Sequence, residues 1–201
     1  LEADGSPAWT RMSRRWPIVM VDEFQDTDPV QWQVLNHAFN KAATGASTLV
    51  LIGDPKQAIY AFRGGDIHTY LDAADTAGEK QTMGTNWRSD AALVDRLQKV
   101  LRGSQLGDSR IVVRDVEAHH KGTRLAGAPS QDPFRLRVVP RSAFGKTGDK
   151  VIGIDDLRSY IGRDLAADIA ALLPSSATFD GNPVSAGDIA VITEKRKGAR
   201  A

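Results

Sequence analysis

Two short stretches of this chain carry most of its chemistry. Val19-Met20-Val21-Asp22-Glu23-Phe24-Gln25-Asp26-Thr27-Asp28 ends an apolar run in paired carboxylates. Leu51-Ile52-Gly53-Asp54-Pro55-Lys56-Gln57-Ala58-Ile59-Tyr60-Ala61-Phe62-Arg63-Gly64-Gly65-Asp66 ends a second apolar run in a polar turn, followed by aromatics beside an arginine. Two carboxylates at a strand end can divide their labour. Asp22 suits a magnesium ion held through its water shell, and Glu23 suits a water that it orients and deprotonates. The Gln57 amide can donate to an anionic oxygen or accept from a water without titrating. Tyr60 and Phe62 offer faces on which unstacked bases can lie, at about 1–3 kcal/mol per base whatever the sequence. An Asp-Glu pair alone is common at strand ends; the polar run after it gives it weight.

These residues need elements that hold them at one edge. Pro17-Ile18-Val19-Met20-Val21 is a short continuous apolar run, the pattern of a strand buried on both faces of a parallel sheet. Asp28 is placed to cap a helix entered at Pro29, with Val30, Val34, Leu35 and Ala38 on one face. Thr48-Leu49-Val50-Leu51-Ile52 reads as a second buried strand. Strand, helix, strand with polar residues at both strand ends places a ligand at the carboxyl edge of a parallel sheet.

A second region begins near Thr82. Ser89 is a candidate cap for a helix burying Leu93, Val94, Leu97, Val100 and Leu101 and closed by Gly103. The stretch at about 104–133, with His119-His120, reads as an irregular connection. Phe134 to Val139 alternates like a half-exposed strand. Leu157, Ile161, Leu165, Ile169 and Leu172 form a helical stripe stopped by Pro174, and Asp188 to Ile192 reads as a strand.

Composition narrows the class without naming it. The 201 residues are 41% hydrophobic and 25% charged, ordinary globular material of one or two domains. The absence of cysteine removes disulfides and thiolate metal sites and suits a reducing, cytoplasmic setting. No apolar run approaches the about 18 residues of a membrane span. A net charge of +1 leaves nucleic acid open, since a local groove can be basic on a neutral protein.

The segment Val21 to Gln31 resembles motif II of superfamily 1A DNA helicases of the UvrD/RecB type. Leu51 to Asp66 resembles their motif III, and Thr85-Asn86-Trp87-Arg88-Ser89 their motif IV. The wording of the first two is closer to the RecB branch, the exodeoxyribonuclease V type, than to UvrD-like relatives, which more often carry tryptophan where Phe62 stands. A weaker likeness continues to Asp188-Ile189-Ala190-Val191-Ile192.

The resemblance implies an α/β fold of P-loop NTPase type, with incomplete parallel sheets from two RecA-like domains. Residues 1–80 would be the C-terminal part of the first and residues 81–201 the N-terminal part of the second. It implies ATP and Mg2+ as cofactors, with Asp22 on the metal, Glu23 on the attacking water and Gln57 on the terminal phosphate. Trp87 would stack on adenine and Arg88 would reach the γ-phosphate as a bidentate donor. Tyr60 and Phe62 would lie under bases, Phe62 being the better candidate. Arg63 would be either a strut between the two sites or a phosphate contact. The implied partners are single-stranded DNA at a duplex end and RecC- and RecD-type subunits, with no membrane.

Departures from the family pattern are equally informative. Leu1 to Pro17 hold no G-x-x-x-x-G-K-[ST] sequence, and Phe144-Gly145-Lys146-Thr147 is a loop imitation lacking the leading glycine. Motifs V and VI are missing, and Thr193-Glu194 stands where relatives often have arginine. Glu194 to Arg200 reads as a solvated end. The expectation is an internal piece of a longer helicase subunit, inactive by itself. The alternatives are a UvrD- or AddA-like helicase, or a catalytically dead module that binds single-stranded DNA or a partner.

Overall fold

The computed structural model describes residues 7–40 and 47–193; the terminal stretch Glu194 to Arg200 lies outside them. The chain divides into two compact units. One runs to Thr82 and takes in Gly103–Arg114; the other is Met83–Arg102 and the chain from Asp115 onward.

In the first unit, helix α1 (Pro7–Arg15) leads into strand β1 (Ile18–Val21). Sequence patterning does not assign α1. Its Trp9 is buried with Ala38 and Phe39, and Val19, Val34, Leu35 and Leu49 pack around that cluster. Helix α2 (Pro29–Leu35) starts where expected: Asp28 Oδ1 accepts from the Gln31 amide at 2.8 Å, and the Gln31 side chain reaches back to the Asp28 amide. It runs into a π-turn at Asn36–Asn40. Strand β2 (Thr48–Leu51) pairs parallel with β1 in the register Ile18↔Thr48 to Val21↔Leu51. Helix α3 (Ile67–Thr76) is capped by Asp66, whose Oδ1 accepts from the His68 amide at 3.0 Å.

The expectation that these strands are buried on both faces is corrected. Val19, Val21, Leu49 and Leu51 are half-buried, whereas Ile18 and Met20 are 67% and 66% exposed, with Val50 beside them. Among the described residues only one face of this two-stranded sheet carries a covering layer. Val30, placed on the buried side of α2 by spacing, is exposed, and the cluster around Trp9 takes Val34 and Leu35 from this helix instead.

In the second unit, strand β3 (Thr85–Asp90) passes directly into helix α4 (Ala91–Leu101), whose N-cap is Asp90 and not Ser89. Only Val94 is buried; Leu97, Val100 and Leu101 are exposed, so the expected stripe is mostly uncovered. Strand β4 (Glu117–His120) pairs parallel with β3, which corrects the irregular reading of about 104–133. Strand β5 (Leu125–Ala126), helix α5 (Ile154–Leu172), and strands β6 (Thr178–Phe179) and β7 (Asn182–Pro183) follow, with β5, β6 and β7 forming a small antiparallel sheet.

Two expected strands do not form. At Phe134–Val139 the alternation is real but its use is reversed. Arg135 pairs with Asp168, and Arg137 with Asp164 and Asp168, while Leu136 and Val138 are exposed. The carboxylates one helical turn apart on α5 take the place of a neighbouring strand. At Asp188–Ile192 a 3-10 turn (Ala186–Asp188) is followed by unpaired chain. The fold is thus mixed helix and strand with small parallel sheets, consistent with the α/β class. No helix among the described residues is long and apolar enough to cross a membrane.

Candidate active site

Asp22 and Glu23 leave the carboxyl end of β1 in a sharp turn. Glu23 has φ 52° and ψ 40°, the left-handed region that costs a side-chain-bearing residue about 1–2 kcal/mol. Its amide donates to Asp22 Oδ1 at 2.9 Å. Beyond it, Phe24 is 1% exposed, edge-on to Trp32 and tilted against Tyr70. The Phe24 amide donates to the Ile52 carbonyl and the Ile52 amide to the Val21 carbonyl, so the two strand ends are stitched together past the last ladder pair.

Gln25 crosses the space between the two expected motifs. It is 2% exposed, donates through Nε2 to Glu23 Oε2 at 2.6 Å, and accepts through Oε1 from the Asp54 amide at 3.0 Å. Gly53 makes room for it: a Cβ there would sit 2.8 Å from Gln25 Oε1 and 3.0 Å from the Tyr70 ring. Asp54 Oδ1 accepts from the Lys56 amide and from Lys56 Nζ, and Asp54 Oδ2 accepts from Gln57 Nε2 at 3.1 Å. Partial burial pushes the Asp54 carboxyl up, but the bonds from Lys56 and Gln57 outweigh that and hold it below the usual carboxylate range. Burial and the Asp54 charge together raise the Tyr70 hydroxyl, which donates to the Gly53 carbonyl at 3.3 Å. Asp22, Glu23 and Gln57, all exposed, are thus joined in one hydrogen-bonded line. Residue type and spacing point to these three; Gln25 and Asp54, which connect them, emerge only from the hydrogen bonds.

Tyr60, Phe62 and Arg63 lie on a separate turn of the same unit. Phe62 is 78% exposed, and its ring centroid stands 5.9 Å from that of the half-exposed Tyr60. The Arg63 guanidinium lies 5.3 Å from the Tyr60 ring and 5.7 Å from the Phe62 ring. Neither aromatic is core. Gly64, at φ 95°, ends the turn, and Gly65 runs so close that a Cβ would meet the Asp26 and Tyr60 carbonyls at 3.2 Å. The Asp66 amide donates to the Thr27 carbonyl, tying this turn back to the carboxylate turn.

In the second unit, Trp87 and Arg88 occupy an irregularity in β3. Asn86 is in register with Ala118 and Asp90 with His120, leaving Trp87, Arg88 and Ser89 out of the ladder and free to be re-aimed. Asn86 Oδ1 accepts from the amides of Arg88 and Ser89, both at 2.9 Å. Arg124 bonds the Asp90 carboxylate through its own amide and Nε, and the Arg88 carbonyl through a guanidinium nitrogen, with the Phe179 ring 4.7 Å away. Partial burial pushes the Asp90 carboxyl up, and Arg124 pulls it below its ordinary value. Trp87 is 66% exposed and stacks on His119 at 3.9 Å between centroids, so it is no buried anchor. Of the residues that hold this loop, Asn86 lies inside the motif IV resemblance without a role of its own, His119 shows only as the pair His119-His120, and Arg124 carries no sequence signal.

In the imitation loop the lysine is engaged within its own turn. Gly145, at φ 62°, closes a 3-10 turn, and Lys146 Nζ donates to the Val151 carbonyl at 2.8 Å.

A profile of the UvrD/REP helicase N-terminal domain matches residues 2–78. The RecBCD enzyme subunit RecB of Mycolicibacterium smegmatis is 71% identical over all 201 residues, which cover 18% of that protein. The same subunit of Mycobacterium tuberculosis is 62% identical over the same span, again 18% of its length. The Escherichia coli subunit is 33% identical over 193 residues, 92% of this chain and 16% of that protein. This chain belongs to the UvrD/RecB-type helicase family. It spans less than a fifth of the length of the curated relatives it matches, and the family profile covers the part of the first unit that holds Asp22, Glu23, Gln25 and Gln57.

Proposed function

We propose that this chain is the motor segment of a RecB-type subunit of exodeoxyribonuclease V, an ATP-dependent DNA helicase and translocase acting in double-strand-break repair and recombination in the cytoplasm. The observation that carries the reading is the line Glu23–Gln25–Asp54–Gln57, in which the candidate base and the candidate phosphate contact are linked by hydrogen bonds that run through the buried Gln25. A P-loop NTPase of RecA-like architecture would use such a line at the carboxyl edge of its sheet. The uncovered apolar face of β1 and β2 supports a longer polypeptide, because parallel sheets ordinarily carry layers on both sides.

The donor set suits magnesium. Among the described residues no group of three or more acidic or histidine side chains gathers as a protein cage. A single exposed carboxylate, Asp22, with further positions filled by phosphates and water, is how that ion is usually held. Bound there, magnesium would neutralise charge on the phosphates of ATP. Glu23 would orient a water and accept its proton at the carboxylate. Gln57 would bond the terminal phosphate without changing protonation state. Trp87 would stack on the adenine and Arg88 would meet charge on the γ-phosphate. Phe62, with Tyr60 and Arg63, would support unstacked bases of single-stranded DNA at a duplex end. RecC- and RecD-type subunits would complete the assembly.

The 201 residues contain no phosphate-cradling glycine-lysine sequence, so the segment alone is proposed to be inactive. The test is Glu23→Gln in the full-length subunit assembled with its partners. DNA-dependent ATP turnover is expected to fall by about a thousandfold or more while nucleotide binding is retained. Normal turnover in that variant refutes the assignment of Glu23.

A further inference from the structure

Glu23 is exposed, sits on a left-handed backbone, and has a long side chain with several rotamers open to it. Its own backbone selects none of them. The group that does is Gln25, whose amide nitrogen lies 2.6 Å from Glu23 Oε2. Gln25 is itself fixed, because it is 2% exposed and its oxygen accepts from the Asp54 amide. The absence of a side chain at Gly53 lets it approach, since a Cβ would press to 2.8 Å from that same oxygen. The opposite end of this bracket is the turn that carries Gln57, joined through Asp54 Oδ2.

We infer that Gln25 is the positioning residue for the Glu23 carboxylate, and that it ties the pose of that carboxylate to the Asp54–Gln57 turn. This rests on the reading of Glu23 as the group that activates water. An amide serves this task because its nitrogen donates only and its oxygen accepts only. One residue therefore holds a carboxylate on one side and a backbone N–H on the other, and the amide that makes both bonds does not itself titrate. A shift of the Gln57 turn moves the Asp54 amide, and Gln25 passes that shift to Glu23. Misplacing a reacting group by about 1 Å can cost a hundredfold in rate, so a bracket of this kind has kinetic weight.

The test uses Gln25→Glu in the full-length subunit within its holoenzyme, read by DNA-stimulated ATP turnover between pH 6 and pH 8.5. The replacement keeps the shape and the acceptor for Asp54 but sets a carboxylate against Glu23. At high pH kcat is expected to drop about 10–100-fold, with the KM for ATP and the affinity for single-stranded DNA within about twofold of the parent. As the pH falls, a proton shared between the two carboxyls restores an O–H donor toward Glu23, so the deficit narrows. Gln25→Leu removes both bonds and is expected to show the loss at every pH without that recovery. If Gln25→Leu does not fold, the pH profile of Gln25→Glu still decides.

Turnover of Gln25→Glu within twofold of the parent across the range overturns the inference. A deficit that is flat with pH and parallels a lowered melting temperature also overturns it, because a merely structural role would act that way. Glu23→Gln separates the two claims. If Glu23→Gln retains turnover, the reading of the site fails; if Glu23→Gln is inactive while Gln25→Glu is normal, only the role of Gln25 fails. Combining Glu23→Gln with Gln25→Glu is expected to be no worse than Glu23→Gln alone, since Gln25 acts through Glu23.

Discussion

The two units hold their candidate site residues by different physics. Around Asp22, Glu23 and Gln57 the fixed points are buried: the Phe24 ring, the Gln25 amide and the backbone bonds between strand ends. Around Trp87 and Arg88 they are mostly charged or at the surface: Asn86 under the loop, Arg124 on Asp90 and the Arg88 carbonyl, His119 on the indole. Among the described residues, the buried apolar side chains of the first unit include Trp9, Phe24, Phe39, Leu71 and Ile111, whereas those of the second are Val94, Ala118 and Ala177. The contrast teaches that the first set is held by packing and by bonds of the buried Gln25 amide and should tolerate salt. The second should not.

Phe24→Ala tests that contrast most severely. It opens an aromatic-sized cavity under the carboxylate turn, and urea titration of the full chain is expected to show a loss of about 3–5 kcal/mol. Asp90→Asn strikes the clamp of the second unit, leaving the Arg124 guanidinium without its anion. A loss of about 1.5–3 kcal/mol, smaller in high salt, is expected in the same measurement. If Asp90→Asn proves as costly as Phe24→Ala and indifferent to salt, the distinction between the units is gone. Asp28→Ala removes the cap of α2 and should cost about 1 kcal/mol while leaving the Glu23–Gln25 hydrogen bond in place.

The smallest expected effect is acid sensitivity. Arg110 holds the Asp108 carboxyl down at about 2, and Asp54 is likewise held below its ordinary value. Both carboxyls are depressed in the folded chain, so their contribution is complete above the unfolded value near 3.8. It is lost as pH falls through the folded value. Melting curves should therefore be flat above about pH 5 and decline below pH 4, more gently in Asp54→Asn. A decline that sets in near neutrality would assign the effect to other groups.

The parts of this fold legible in the sequence are those where local preference and tertiary demand agree. Asp28-Pro29 with Gln31 announces a helix start, and the apolar runs before Asp22 and Gly53 announce parallel strands. The stripe from Leu157 to Leu172 announces α5. Strand β4 was hidden because Glu117-Ala118-His119-His120 has neither alternation nor branched residues; it is a strand because β3 supplies the ladder. Phe134–Val139 misled for the opposite reason, a strand-like pattern whose arginines are claimed by α5. At the site, residue type revealed the groups that could face a ligand. Gln25, Asp54 and Arg124 face other protein atoms instead, and only distances reveal such work.

The stack of Trp87 on His119 leaves one indole face covered by imidazole and the other open. An indole in that setting is a natural optical probe. Its emission begins red-shifted by solvent and must change colour and intensity when a flat aromatic ring settles on the open side. Titrating a purine nucleotide against that signal, with Trp87→Phe as the control that leaves only Trp9, Trp16 and Trp32 emitting, would report on that face without any label.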